Sequence, residues 1–386
     1  MFRNRGAIII LFIILIFPLT GFLLWLIQPA KQMNILVLDK TVHDENRNEH
    51  NSFFWILHHE KYEKKNAERY DPDRDYYGFF PVSHSKTHEY SIRRIQLGEI
   101  DSLAEVLDMI YYTDTYGVYF NEWYKGLKIA DRAVKIHGGL NQNDYLLLKN
   151  MYQRKKLVLT EFNLYASPTS SLIRLKTEQL LGIHWSGWSG RYFATLDTIR
   201  NNDLPKWIIR EYKKEHQGEW PFHSSGIVFI RNNNKVVILE KNIHLKIEVP
   251  MIVTGDKFSE SYNLPEKVHY PFWFDIEKTD DNNEVISNFE LFTTSFGDSL
   301  LKKNNIPRVF PAAIRAKDRP FWYFCGDFAD NPVSQFSACF KGIKKVDVLL
   351  YNNRIESRKR FYWTYYVPLV TKIMRNYREK AILNSH

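Results

Sequence analysis

The stretch Lys156–Leu196 reads KLVLTEFNLYASPTSSLIRLKTEQLLGIHWSGWSGRYFATL. Leu157-Val158-Leu159-Thr160 is a short apolar run bounded by polar residues, which predicts a buried strand. The chain then turns through Glu161-Phe162-Asn163 to Ser170. Leu172, Ile173, Leu175, Gln179, Leu180 and Leu181 recur at helical spacing. Ser170 or Ser171 caps that predicted helix and Gly182 ends it. His184-Trp185-Ser186-Gly187-Trp188-Ser189-Gly190-Arg191-Tyr192 then reads as a Gly-Trp-rich loop. Strand, turn, helix and loop in this order outline the ligand site of an α/β sheet, where ligands sit outside the carboxyl ends of the strands.

Two further runs fit the same scheme. Asn34-Ile35-Leu36-Val37-Leu38-Asp39 predicts a first buried strand ending on a carboxylate, and Met109 to Gly117 a later one ending on Asp114, just before Tyr116. In order and character, these elements resemble the class I glutamine amidotransferase-like superfamily, a flavodoxin-like α/β fold. The resemblance covers roughly residues 34–196, with a return near Phe321–Asp330. Enzymatic members carry a Cys in a Gly-x-Cys-x-Gly elbow, with His and Glu downstream. Here the elbow falls at Glu161-Phe162-Asn163, without Cys or flanking Gly, so the resemblance implies a fold and not amidotransferase chemistry.

The N-terminus has a different texture. Residues 7–27 are uncharged and almost wholly apolar, enough for about 30 Å of helix, the hydrocarbon thickness of a bilayer. Arg3 and Arg5 precede this span, so residues 1–6 are expected in the cytoplasm and the main domain outside it. The competing reading is a cleaved signal peptide, whose apolar region normally runs to only about 7–15 residues. The expected organisation is therefore a signal anchor at 7–27, an amidotransferase-like α/β domain at 34–200, and a β-rich insertion or second domain at 218–318. Residues 319–386 return to the α/β domain and end in a basic helix. Within the β-rich part, Gly226–Ile230, Lys235–Glu240 and His244–Val249 read as strands.

The chain has 386 residues and a formal net charge of +9. Between Lys341 and Lys380 there are eleven Lys or Arg and three acidic residues. That run is either a solvated helical face or a contact for anionic lipid or polymer. No nucleic-acid module is recognisable, and neither a Walker A nor a dinucleotide-binding glycine motif is present. Cys325 and Cys339 are too few for a disulfide framework or a zinc site. They are either one disulfide or two free thiols. His43, His58, His59, His84 and His88 lack metalloprotease spacing, and neither metal nor cofactor is expected.

Chemistry is expected from carboxylates. Asp39, Asp114, Glu161 and Asp327 lie at predicted strand ends and Asp330 close by, so a parallel sheet would bring them to one edge. Glu161, Asp114 and Asp327 are the catalytic candidates, because paired carboxylates can divide acid and base roles. Arg191 can hold an anionic group. Tyr116, Asn163, Trp185 and Trp188 complete the expected ligand-binding set, and the high aromatic content, 15%, serves either packing or sugar stacking. The expected function is binding of a carbohydrate or cell-envelope polymer by a membrane-anchored accessory of polysaccharide handling. A carboxylate-dependent glycan hydrolase and a structural partner in a membrane complex are the alternatives.

Overall fold

Tyr111 and Tyr112 show how the molecule is layered. They are adjacent on one strand, so their side chains leave opposite faces of the sheet. The Tyr111 ring meets Phe53 edge-on at 4.9 Å, whereas the Tyr112 hydroxyl donates to the Asp144 carbonyl at 2.8 Å. Phe53 belongs to the helix Asn48–Glu60 and Asp144 to the helix Gln142–Gln153, so helices cover both faces. Strands buried on both sides read as continuous apolar runs, which is what the sequence shows.

A computed structural model describes residues 16–83, 88–124, 134–201 and 203–383. Leaving aside two short two-stranded pairs, we number the strands in chain order. They begin with β1 (Ile35–Asp39), β2 (Tyr76–Ser83), β3 (Glu89–Arg93), β4 (Met109–Asp114) and β5 (Leu157–Glu161). Next come β6 (Ile183–Phe193), β7 (Gly226–Arg231), β8 (Val236–Glu240), β9 (Met251–Thr254) and β10 (Lys267–His269). The last are β11 (Trp273–Thr279), β12 (Asn283–Glu290), β13 (Val309–Ala316) and β14 (Phe321–Phe324). The fold is mixed α/β around a 10-stranded sheet of order β10-β9-β12-β13-β14-β5-β4-β1-β2-β3. From β14 to β2 neighbouring strands run parallel; the flanking pairs are antiparallel. Taken alone, the parallel strands stand in the order second, first, third, fourth, fifth.

Between the fourth and fifth parallel strands the chain builds two things. One is the antiparallel extension β9, β10, β12 and β13 of the large sheet. The other is a separate antiparallel sheet of order β8-β7-β6-β11. The expected Gly-Trp loop is therefore strand β6, paired with β7 and β11. The expected strand at His244–Val249 is a series of turns instead. His244 Nδ1 accepts from the Glu240 backbone N–H at 3.1 Å and curls the segment back.

The expected C-terminal helix forms. A π-turn at Tyr362–Tyr366 leads into the helix Val367–Leu383. Pro368 lacks an amide hydrogen, and the wide turn just before it is where a helix absorbs that loss.

At the other terminus, residues 7–15 of the expected membrane span lie outside the described residues. Residues 16–26 form a helix, and among the described residues no helix is long and apolar enough to cross a membrane. This helix lays one side on the domain. Trp25 is buried, its indole donates to the His58 carbonyl at 3.0 Å, and Lys341 N–H donates to the Gly21 carbonyl at 2.9 Å. Phe17, Leu19, Leu23, Leu24, Leu26 and Ile27 remain exposed.

The helix Gln142–Gln153 begins with a reciprocal cap. The Asn141 side chain accepts from Asn143 and Asp144 N–H, and the Asp144 carboxylate accepts from Asn141 N–H. Asn141→Ala removes half of that box and is expected to cost about 1 kcal/mol in a urea titration. An unchanged midpoint would mean that Asp144 alone starts the helix.

Candidate functional site

Asp39, Asp114 and Glu161 end β1, β4 and β5, and Asp327 follows the end of β14 by three residues. Because these strands are parallel, all four lie at the carboxyl edge of the sheet. Each is buried, and their charges act on one another: Asp39 on Asp114, Asp114 on Glu161, and both Asp114 and Glu161 on Asp327. Gly78 sits beside Asp39 in register at φ +138°. A Cβ there would lie 1.5 Å from the Asp39 carbonyl oxygen, so only glycine lets β2 close on this end of β1.

Their partners separate their roles. Asp39 Oδ2 stands 2.7 Å from His50 Nδ1, and its Oδ1 accepts from Thr41 N–H at 3.0 Å. Asp114 Oδ1 accepts from Tyr116 N–H at 2.7 Å and from the Asn163 side-chain amide at 3.3 Å. Glu161 accepts from the Tyr111 hydroxyl at 2.9 Å and from Ala329 N–H at 3.2 Å. These three carboxyl groups hold turns and strand ends together. Asp327 differs, because its Oδ1 is buried without a hydrogen-bond partner.

Burial, more than any neighbour, pushes Asp114, Glu161 and Asp327 well above the usual carboxylate range. Asp39 reinforces this at Asp114, and Asp330 at Asp327. The Tyr111 and Ala329 hydrogen bonds oppose it at Glu161. Each therefore holds its proton to higher pH than a free carboxyl group, and in that form it can donate as well as accept. Glu49, one residue before His50, is pushed up to about 7 by burial, against the pull of His43. His43 is raised to about 9, chiefly by its hydrogen bond to Glu49.

The smaller sheet packs against this edge. Asp275 N–H on β11 donates to the Cys325 carbonyl at 2.7 Å, and Asp327 N–H donates to the Trp273 carbonyl at 3.1 Å. These bonds dock β11 on the segment after β14. They bring Arg191 of β6, which is opposite Trp273 in register, to the carboxyl edge. The Arg191 guanidinium carbon lies 4.7 Å from the centre of the Phe193 ring and 5.4 Å from those of Phe272 and Trp273. Its Nε is buried without a hydrogen-bond partner. Burial lowers its pKa, opposed by the attraction of Asp203, Asp330 and Asp327. Arg358 stacks on Phe272 at 3.7 Å, and its Nη1 stands 3.3 Å from Asp330 Oδ1, an ion pair without hydrogen-bond geometry.

The elbow position is occupied and closed. Asn163 takes a left-handed conformation, φ 67°. Its N–H donates to Asp275 at 3.1 Å, and its carbonyl accepts from the Thr115 hydroxyl at 2.8 Å. Cys325 is fully buried, and burial pushes its thiol up. Trp185 and Trp188 do not join this edge. They are six and three residues before Arg191 on β6, about 20 and 10 Å along an extended strand. Trp188 is buried in the core, and the half-buried Trp185 donates to the Trp188 carbonyl at 3.0 Å. Tyr116 remains half-exposed at the edge, its ring 4.9 Å from that of Tyr119.

His50, Glu49, Asp275 and Arg358 belong to this edge and were not expected there. A signal existed for His50 and Glu49, since the helix after a parallel strand starts beside that strand's carboxyl end. Among the described residues no group of three or more His, Cys, Asp or Glu is arranged to hold a metal ion.

No protein-family model matches the chain, and no curated protein matches it. A solved structure of a ThuA-like protein from Bacteroides uniformis superposes on 80% of this chain and 89% of its own, at 9% identity and a TM-score of 0.36.

Proposed function

We propose that the chain is a divergent glutamine amidotransferase-like protein that binds a carbohydrate or cell-envelope polymer at the carboxyl edge, attached to a membrane by its N-terminal segment. The strand order second, first, third, fourth, fifth is the flavodoxin-like order, whose ligands bind at this edge. One observation carries the binding reading. Asp327 Oδ1 and Arg191 Nε are both buried at this edge without partners, Phe272 and Trp273 stand half-exposed beside Arg191, and Tyr116 is half-exposed after the end of β4. Buried polar atoms are normally satisfied. A ligand rich in hydroxyl groups satisfies both, with ring faces for its apolar side. Glutamine hydrolysis has no place in this reading, because Asn163 occupies the elbow.

Binding of the intact protein to a panel of neutral and uronic-acid oligosaccharides tests the proposal. Asp327→Asn is expected to weaken the best binder about tenfold, or about 1.4 kcal/mol, in a protein at least as stable to urea as the wild type, since it removes a buried ionisable group. Arg191→Lys keeps the charge but loses the planar fork, and should weaken uronic acids more than neutral sugars. A panel without binders, or binding indifferent to both substitutions, sinks the reading. The hydrolase alternative draws on Asp327, whose cost of ionising is raised by burial and by the neighbouring Asp330 carboxylate. Reducing ends released by the wild type and not by Asp327→Asn would establish it.

A further inference from the structure

The segment Gln335–Leu349 holds apolar side chains outward from a backbone that is clamped from inside. On its inner side, the Trp55 indole donates to the Ser337 hydroxyl at 2.7 Å, His59 Nδ1 is 3.0 Å from the Ala338 carbonyl, and Ala338 is fully buried. On its outer side Phe336 is 73% exposed, Val348 67% and Leu349 83%. Backbone hydrogen bonds carry it turn by turn from Phe340 to Leu350. A fixed surface of this kind is costly in water unless something covers it.

Its neighbour is the N-terminal helix. Phe336 packs edge-on against Phe340 at 5.2 Å, and Phe340 meets Phe22 at 6.4 Å. Lys341 fastens the two elements, with its N–H on the Gly21 carbonyl and its Nζ 2.6 Å from Gln28 Oε1. Phe336 and Phe340 thus continue the exposed face of helix 16–26, and the chain before that helix, residues 7–15, is entirely apolar. Lys341 and Lys345 are exposed on the same segment, whereas Asp347 is half-buried. Aromatic and basic side chains side by side suit the boundary between lipid tails and anionic head groups.

We propose that Gln335–Leu349 is a second contact with the bilayer, bedded beside the N-terminal helix in anionic phospholipid. This rests on the membrane attachment proposed above. A benzophenone amino acid in place of Leu23, Phe336 or Ile199, in the full chain reconstituted into nanodiscs of phosphatidylglycerol and phosphatidylcholine, tests it. Ile199 is 90% exposed and lies in the turn after β6, outside both the N-terminal helix and the Gln335–Leu349 segment. The expected result is lipid adducts from positions 23 and 336 and none from 199, with the yield at 336 falling several-fold in phosphatidylcholine alone. Adducts from 23 without 336 overturn the second contact and leave the anchor standing. Adducts from neither overturn both. A yield at 336 indifferent to lipid charge overturns the anionic preference. In native membranes, a protein adduct at 336 in place of lipid overturns the proposal in favour of a protein partner.

Discussion

Asp275→Asn is expected to make the protein more stable than wild type at mildly alkaline pH and to leave it close to wild type near pH 4. Asp275 is fully buried, and burial pushes its carboxyl up to about 7. The unfolded chain releases the same proton near pH 4. Between those values the folded state binds more protons than the unfolded one. The contribution is therefore complete below about 4, falls as pH rises, and is gone once pH has passed about 7. A displacement of that size is worth at most about 4 kcal/mol. Asparagine keeps the shape without the charge. Its carboxamide oxygen accepts from Asn163 N–H, and its amide donates to the Ser189 hydroxyl that now contacts Asp275. Urea titrations should show an advantage for the variant of about 2–4 kcal/mol near pH 8 that closes by pH 4. His59 and His137, lowered by burial to about 4 and about 3, act in the opposite direction. They lose stability as pH falls below about 6.5, equally in both proteins, so they cancel in the difference. A gap that does not change with pH would refute the assignment.

Lys40→Met is expected to cost about 3–5 kcal/mol, because it strands a buried charge. Lys40 and Asp144 are 2% and 1% exposed and form an ion pair, and Lys40 Nζ also donates to the Gly139 carbonyl at 2.9 Å. The loss reaches beyond the pair. Asp144 heads the helix Gln142–Gln153, and Lys40 stands between Asp39 and Thr41, whose hydroxyl accepts from Gly117 N–H at 2.9 Å. Adding Asp144→Asn to Lys40→Met should restore part of the stability, since no unpaired charge is left inside. Single and double variants in one urea series measure that coupling. A double variant as unstable as the sum of the singles would mean that packing, not charge, dominates.

Four of the five parallel strands, β1, β4, β5 and β14, were legible because each is buried on both faces and so is written as an unbroken apolar run; β2 was not, because Gly78 and Pro81 interrupt it and it is only partly buried. Asp39, Asp114 and Glu161 were legible as the residues that end those runs, and Asp327 as the carboxylate after the last. What the carboxylates do was not legible, because their partners come from elsewhere in the chain: Asn163 for Asp114, Ala329 for Glu161. Strand β6 was misread for a related reason. Gly187 takes φ +87° where the pairing with β11 slips, and a Cβ at Gly190 would lie 2.4 Å from the Phe274 ring. Locally such glycines look like loop residues. Their reason is a strand more than eighty positions away. Arg358 was hidden inside a basic run, where nothing local distinguishes an arginine stacked on Phe272 from solvated ones.

The helix Asn48–Glu60 touches both ends of the molecule. Its first turn carries His50, which meets Asp39, and its last carries the His58 carbonyl that receives Trp25. Thirteen residues make it about 20 Å long. Under the membrane attachment proposed above, a rod of this length would act as a standoff, setting the distance between the carboxyl edge and the point where Trp25 joins the domain. A polymer lying over the bilayer would then meet the edge only at that height, and the protein would gauge distance as well as chemistry.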